Sequence, residues 1–214
     1  MLFRSIPTTA VDPTPVVGMI GLLTRADRAV PSHARAPGDV VFVLGETRAE
    51  LGGSAYWEVC QEFRGGQPPR VDLEAEKRLI ELLVTGAERG LFHSAHDCSQ
   101  GGLGVALAEV AMGSPYQEQG FGLDVDVTTY HAPLTTHELL FSESHGRAVV
   151  TCSPERAGAV QALAGELGVP LLRAGTVGSP GGAFRITLRD GTIDESVSRL
   201  RDVYFSAIPR RMGD

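Results

Sequence analysis

Apolar residues along this chain fall in short runs broken by glycine, proline and polar stretches. "DVVFVLGE" (39–46) is a β-branched run closed by Gly45, which predicts a strand feeding a loop. "VDLEAEKRLIELLVTGAERG" (71–90) gathers Leu79, Ile80, Leu82 and Leu83 into an apolar face, with acidic residues early and Gly90 as a stop; this is a helix pattern. "LGVALAEVAMG" (103–113) predicts a second helix ending at Gly113. "FGLDVDV" (121–127) alternates as a half-buried strand does, and "RAVVTC" (147–152) reads as another strand. Ser153 suits an N-cap, Pro154 the first helical position and Glu155 the first turn, opening a helix through about Leu167. "VPLLRAGTVG" (169–178) and "AFRITLRDG" (183–191) read as strands, the second carrying a turn signal, and a last short helix is expected over 194–203. "LGGSAYWEV" (51–59) reads as a flexible turn before an aromatic pair.

The beginning follows a different rule. "VVGMIGLL" (16–23) comes after Pro13 and Pro15, which favour extended backbone, and predicts a buried strand with no partner upstream. Residues 1–10 receive no structure, as a boundary scar or loosely held arm, and 24–38 are a polar, proline-interrupted connection. Strands and helices alternate without a regular βαβ repeat. The expected class is therefore α+β, helices packed on one mixed sheet.

Composition narrows the function classes. The 214 residues are 43% hydrophobic and 21% charged, ordinary for a globular chain. The net charge of −7 leaves no broad basic surface for nucleic acid, although local basic pockets remain compatible with it. No apolar run approaches the roughly 20 residues that span a bilayer. Residues 1–15 lack the charged start and long apolar core of a secretory leader. Three cysteines, Cys60, Cys98 and Cys152, form no C-x-x-C pair and fit reduced thiols in a cytoplasmic protein.

The densest chemistry is "HSAHDCSQGG" (93–102). As a transition-metal site it is weak: His93 and His96 are three apart, so in a strand they face opposite sides, and no second cluster completes a zinc-like set. A hard cation held partly by Asp97 and a bound phosphate asks less of the protein. As a nucleophile, Cys98 beside Asp97 and near His96 lacks an orienting third group, and a small half-buried thiol is the plainer reading for all three cysteines. As a phosphate loop it is stronger. Gly101 and Gly102 let backbone N–H groups approach an anion, the following helix start adds unpaired donors, and Asp97 and Ser99 can bond phosphate or metal-bound water. A glycine turn into a core helix explains the same residues about equally well. Two further constellations are "LLFSESHGRAVV" (139–150), a polar loop over a pocket or an ordinary loop with Arg147 paired to Glu143, and "LGETRAELGGSAYWEV" (44–59).

Together and in this order, "PTPVVGMIGLL", "GDVVFVLGETRAELGGSAYWEV", "HSAHDCSQGGLGVALAEVAMG" and "LLFSESHGRAVV" resemble the C-terminal part of the phosphoribosylformylglycinamidine synthase family, the synthetase subunit (FGAM synthase II) of purine biosynthesis. The resemblance covers residues 11 to about 205. It implies membership of the aminoimidazole ribonucleotide synthetase-like superfamily, whose members pair an N-terminal β-rich domain with a C-terminal α+β domain, a pairing duplicated in the synthetase. Residues 11–36 would then be the last strand of an N-type domain plus its connection, 37–205 the second C-type domain, and 206–214 a tail. The implied reaction is ATP-dependent: the formamide oxygen of formylglycinamide ribonucleotide is phosphorylated and then displaced by ammonia. The implied cofactors are ATP or ADP and Mg²⁺. The implied partners are the missing N-terminal half, a glutaminase subunit and a small accessory subunit.

Carried over residue by residue, the resemblance marks His96, Asp97, Ser99, Gly101, Gly102, Glu143 and Ser144 for nucleotide or phosphate, with Asp97 also for metal. The family loop His-Asp-x-Ser-Asp/Glu-Gly-Gly has Gln100 here in place of its carboxylate, and the Ser-Glu-Ser-Gln stretch has His145 in place of its glutamine. Both departures fit the second copy, whose pocket resembles a non-catalytic nucleotide site. The family's catalytic residues are expected upstream, so the chain is expected to be inactive alone. The alternatives are a non-catalytic nucleotide-binding or scaffold module, or a piece of another ATP-dependent enzyme of the superfamily.

Overall fold

The computed structural model describes residues 17–23, 25–130 and 133–213. Its centre is a seven-stranded mixed sheet in the order β2-β4-β1-β5-β3-β6-β7. The strands are β1 (Val40–Leu44), β2 (Ser94–Asp97), β3 (Phe121–Asp126), β4 (Ala148–Cys152), β5 (Leu171–Pro180), β6 (Ala183–Leu188) and β7 (Gly191–Ser196). All neighbours run antiparallel except β3 and β6, which are parallel. The helices are α1 (Ala55–Cys60), α2 (Leu73–Glu88), α3 (Gly102–Met112), α4 (Thr136–Phe141), α5 (Pro154–Leu167), α6 (Val197–Phe205) and α7 (Ala207–Met212).

The central strands β1 and β4 are buried at every position, because helices cover both faces. On one side Val41, Val43 and Val149 pack with Leu103, Leu107 and Val110 of α3 and Leu140 of α4. On the other, Val40, Phe42, Leu44 and Val150 meet Leu79 and Leu82 of α2 and Val160 and Leu163 of α5. Full burial of one such side chain stabilises by about 1.5–3 kcal/mol. Toward the β7 edge the burial alternates, and β7 itself is largely exposed. The α+β class with a mixed sheet expected from the pattern is the observed one.

Three expectations need correction. Residues 17–23 form no strand: a strand needs a neighbour for its N–H and C=O groups, no described strand pairs with them, and Met19, Ile20 and Leu22 lie open to solvent. The helix expected over 194–203 begins at Val197, since "GTIDES" pairs with β6 through the Arg189-Asp190 turn and Ser196 caps the helix. Within the stretch expected as a tail, residues 207–212 are helical. The short elements α1, α4 and β2 were too brief to carry a period.

Candidate functional site

Two loops meet where β2 ends and β4 begins. β2 delivers Asp97 opposite Ala148, and the N–H of Cys98 donates to the Arg147 carbonyl at 3.1 Å, so residues 97–101 lie beside 142–147. Ser142 and Ser144 are fully buried and face the segment after β1: the Ser142 hydroxyl accepts from the Glu50 N–H at 3.1 Å and that of Ser144 from the Arg48 N–H at 3.1 Å. Between them, one Glu143 carboxylate oxygen accepts from both the Ala55 N–H and the Gly101 N–H at 2.8 Å. One tripeptide thus clasps the 48–50 segment, the start of α1 and the start of α3.

Arg147 anchors the same loop from within. It is 3% exposed and donates to the Ser144 carbonyl (2.9 Å), the Thr47 hydroxyl (2.9 Å) and the Ser142 carbonyl (2.6 Å). The Arg147–Glu143 pair of the ordinary-loop alternative is therefore absent, because two carbonyls of its own loop and the Thr47 hydroxyl surround the guanidinium while Glu143 reaches helix N–H groups. Burial lowers the Arg147 pKa, with Cys98, Tyr130, Glu50 and Glu143 acting the other way.

The glycine pair serves packing first. Gly101 and Gly102 have φ of 81° and 68°, and a Cβ on Gly102 would lie 2.5 Å from the Ser142 carbonyl oxygen and 2.8 Å from that of Leu140. The backbone donors expected to cradle a phosphate are engaged internally: Gly101 N–H by Glu143 and Gly102 N–H by the Ser99 carbonyl at 3.0 Å. A carboxylate from the chain itself already satisfies the helix-start donor that a phosphate would use.

The solvent-facing side is a cleft of about 660 Å³. Leu79, Ile80 and Leu83 of α2 and Ala95 form an apolar wall, and His96, Asp97, Ser99, Gln100, Glu143 and His145 form a polar one. The Asp97 side chain is 76% exposed and accepts from the Ser99 hydroxyl. His96 places Nδ1 2.7 Å from the Asp97 carbonyl and Nε2 3.3 Å from the Glu109 carboxylate. Ser144 is turned away toward Arg48. Burial pushes the Cys98 thiol up to about 11, which keeps it protonated and inert, as the plainer reading expected. Cys152 is likewise buried, but Cys60, expected to be half-buried, is exposed on α1.

The cleft suits a nucleotide only with a cation. Glu76, Asp97 and Glu143 line it against one guanidinium, Arg147, which is already committed to the protein. Among the described residues no group of three His, Cys, Asp or Glu could hold a metal. Asp97 and Ser99 could offer one or two oxygen ligands to Mg²⁺ arriving on phosphates, which is how that ion is commonly held. Residue-by-residue reading of the motif missed Thr47, Arg48, Glu50 and the Ala55 N–H. Their signal was the third constellation, whose polar residues fit the serines of the second.

The chain is similar to several known proteins. The family model described as AIR synthase related protein, C-terminal domain, matches residues 36–186. A phosphoribosylformylglycinamidine synthase subunit PurL from Thermobifida fusca is 44% identical over 213 residues, covering 99% of this chain and 26% of the relative. T. maritima PurL complexed with FGAR superposes with a TM-score of 0.71 at 25% identity, over 83% of this chain and 30% of that one. T. maritima PurL complexed with ATP gives 0.64 at 25% identity, over 83% and 28%. The chain spans about a quarter of the length of the curated relatives it matches.

Proposed function

The chain belongs to the AIR synthase related family through its C-terminal domain, and from that premise we propose that it is the C-terminal portion of a phosphoribosylformylglycinamidine synthase synthetase subunit. It would work as part of an ATP-dependent carbon–nitrogen ligase, in the cytoplasm, forming the amidine of formylglycinamidine ribonucleotide in purine biosynthesis. The remainder of the synthetase, a glutaminase subunit supplying ammonia and a small accessory subunit would be its partners.

The observation that carries this reading is the junction of loops 97–101 and 142–147 at the mouth of the cleft, built from the stretches that bear the resemblance. In that cleft a nucleotide base would lie against Leu79, Ile80 and Leu83, and its phosphate-borne Mg²⁺ would be met by Asp97 and Ser99, with His96 at the rim. Glu143, Ser144, Gly101 and Gly102 would hold the shape of the site from behind. Phosphoryl transfer needs the metal, the nucleophile and a phosphate clamp held in line together. Apart from Glu143, which the protein's own N–H groups occupy, the cleft presents only the carboxylates of Glu76 and Asp97 toward such a set, with no uncommitted guanidinium, so turnover requires groups from outside these 214 residues.

The test is ADP release with formylglycinamide ribonucleotide, ATP, Mg²⁺ and ammonia. The isolated chain should give none, and adding a polypeptide covering the preceding three-quarters of the synthetase should restore it. Turnover by the chain alone would refute its dependence on that remainder, and failure of every complementing polypeptide would sink the assignment. A non-catalytic nucleotide role draws on one observation, the Glu143 carboxylate standing where a transferred phosphate would be clamped. Mg·ADP binding without any turnover after complementation would favour it.

A further inference from the structure

A second cavity, of about 460 Å³, lies at the C-terminal end of α2 between the 27–36 segment, the residues just before β2 and the start of α5. Three guanidiniums, Arg28, Arg35 and Arg156, line it against one carboxylate, Asp27, in a chain whose net charge is −7. Asp27 is itself drawn off by Arg25 at 2.6 Å, while Arg28 stands 4.0 Å from it. Among the described residues, Arg35 and Arg156 make no ion pair within 4.0 Å. His93 completes the rim, its Nδ1 held 2.8 Å from the buried Asp39 carboxylate. The nearby Glu155 is exposed to solvent.

The wall is fixed in place. The Ala95 N–H donates to the Pro31 carbonyl at 2.9 Å and the Ala34 N–H to the Val110 carbonyl at 3.0 Å, tacking the segment to the sheet edge and to α3. The Arg28 guanidinium lies over Gly90, where a Cβ would stand 2.2 Å from one of its nitrogens. The first turn of the 14-residue α5 adds the positive end of a helix dipole beside Arg156. Like-charged arginines gathered around a hollow repel one another unless an anion lies between them. Guanidinium forks match phosphate oxygens two at a time.

We propose that this basic cavity binds a phosphate-bearing small molecule, independently of whether the cleft at Asp97 holds a nucleotide. The experiment is calorimetric titration of the full chain with inorganic pyrophosphate, without Mg²⁺ and at low salt. Saturable binding is expected, weakened about tenfold or more in the Arg35→Ala/Arg156→Ala double variant, as loss of charge-assisted bonds implies. Asp97→Ala should leave it unchanged, which separates this site from the cleft. Arg156→Lys, which keeps the charge but not the fork, should fall between wild type and the double variant, with native circular dichroism as the check on folding. Amide shifts on titration should centre on Val30, Gly90 and His93. The proposal is overturned by no binding at ~10 mM pyrophosphate, by a double variant that binds like wild type, by equal loss in Asp97→Ala, or by malonate binding as tightly as pyrophosphate.

Discussion

Helices α2 and α3 solve the same electrostatic problem at their first turns by opposite means. α2 carries its own answer: the Asp72 carboxylate, one residue before the helix, accepts from the Glu74 and Ala75 N–H groups at 3.1 and 3.0 Å. α3 begins on a glycine with no side-chain cap and receives its carboxylate from Glu143, which also serves Ala55. The first cap costs the fold nothing beyond one turn. The second makes the start of α3, the start of α1 and the 142–147 loop a single mechanical unit, so whatever moves one of them moves the site.

The comparison is broken most severely at Gly102. Its Cβ direction points into two backbone carbonyls that cannot rotate away, and its φ of 68° strains any other residue. Gly102→Val is expected to cost about 4 kcal/mol or more, or to abolish soluble expression, whereas Gly158→Val in α5, where a Cβ meets nothing within 4 Å, should be neutral or slightly stabilising, because glycine is the poorer helix former. Urea denaturation of both variants measures the gap. Equal stabilities would mean the 142–147 loop does not press on α3 as described.

Next in size is the remote cap. Glu143→Ala leaves two N–H groups without their acceptor and is expected to destabilise by about 1–3 kcal/mol, while Glu143→Gln, whose amide oxygen still accepts, should lose less. If α3 is capped as a unit with α1, hydrogen exchange at Ala55 and Gly101 should accelerate together in Glu143→Ala. Acceleration at one and not the other would dissolve the unit.

The same contrast decides what could be read from the sequence. Asp72 and the Leu79, Leu82 face lie within three turns of one helix, so the element and its boundary follow from neighbours in the chain. The strands β1, β3, β4, β5 and β6 were equally legible, as continuous apolar runs where both faces are covered or as alternation where one is. Glu143 looked like a partner for Arg147 because sequence distance is a poor guide to which buried acceptor a guanidinium will meet. Three carbonyl and hydroxyl oxygens within hydrogen-bond reach satisfied Arg147 and freed Glu143 for α3. Gly101-Gly102 fitted a phosphate cradle and a tight packing turn alike, and only the position of the Ser142 carbonyl separates the two. For 17–23 the apolar pattern was real, but a strand is a property of a pair, and no described strand stands beside it.

A smaller effect is expected on the solvent side of the unit. Asp97 is mostly exposed and its neighbour Ser99 is bonded to it, so Asp97→Ala should leave the unfolding midpoint nearly unchanged. Mg·ADP affinity should nevertheless drop about tenfold, the value of one charge-assisted ligand contact. Calorimetry with and without Mg²⁺ separates the cases: if Asp97 acts through the cation, the variant and wild type should bind metal-free ADP alike. Loss of stability with unchanged affinity would reverse the roles assigned to the two sides of the loop.

The least effect belongs to the local cap, and it has a sign. The bond from the Ala75 N–H, foremost, holds Asp72 below its ordinary value of 3.8 against the opposing influence of burial, with the Glu74 N–H bond, Arg78 and Arg48 assisting. A carboxyl whose folded pKa is depressed contributes stability that is complete above the unfolded value and is lost as pH falls through the folded one. The contribution of Asp72 is therefore present at neutral pH and disappears below pH 3.8, where the proton returns to the carboxyl. Asp72→Asn keeps the capping oxygen and removes the titration, so its melting temperature should fall less steeply than wild type between pH 4 and pH 2, an interval set by the carboxylate range. Glu143, acting on α3 from a distance, should not be imitated by this variant at any pH: exchange at Gly101 should stay as in wild type while exchange at Ala75 alone responds. A response at Gly101 would show that the two helix starts are coupled through the cleft between them, and the separation of local from remote capping would have to be given up.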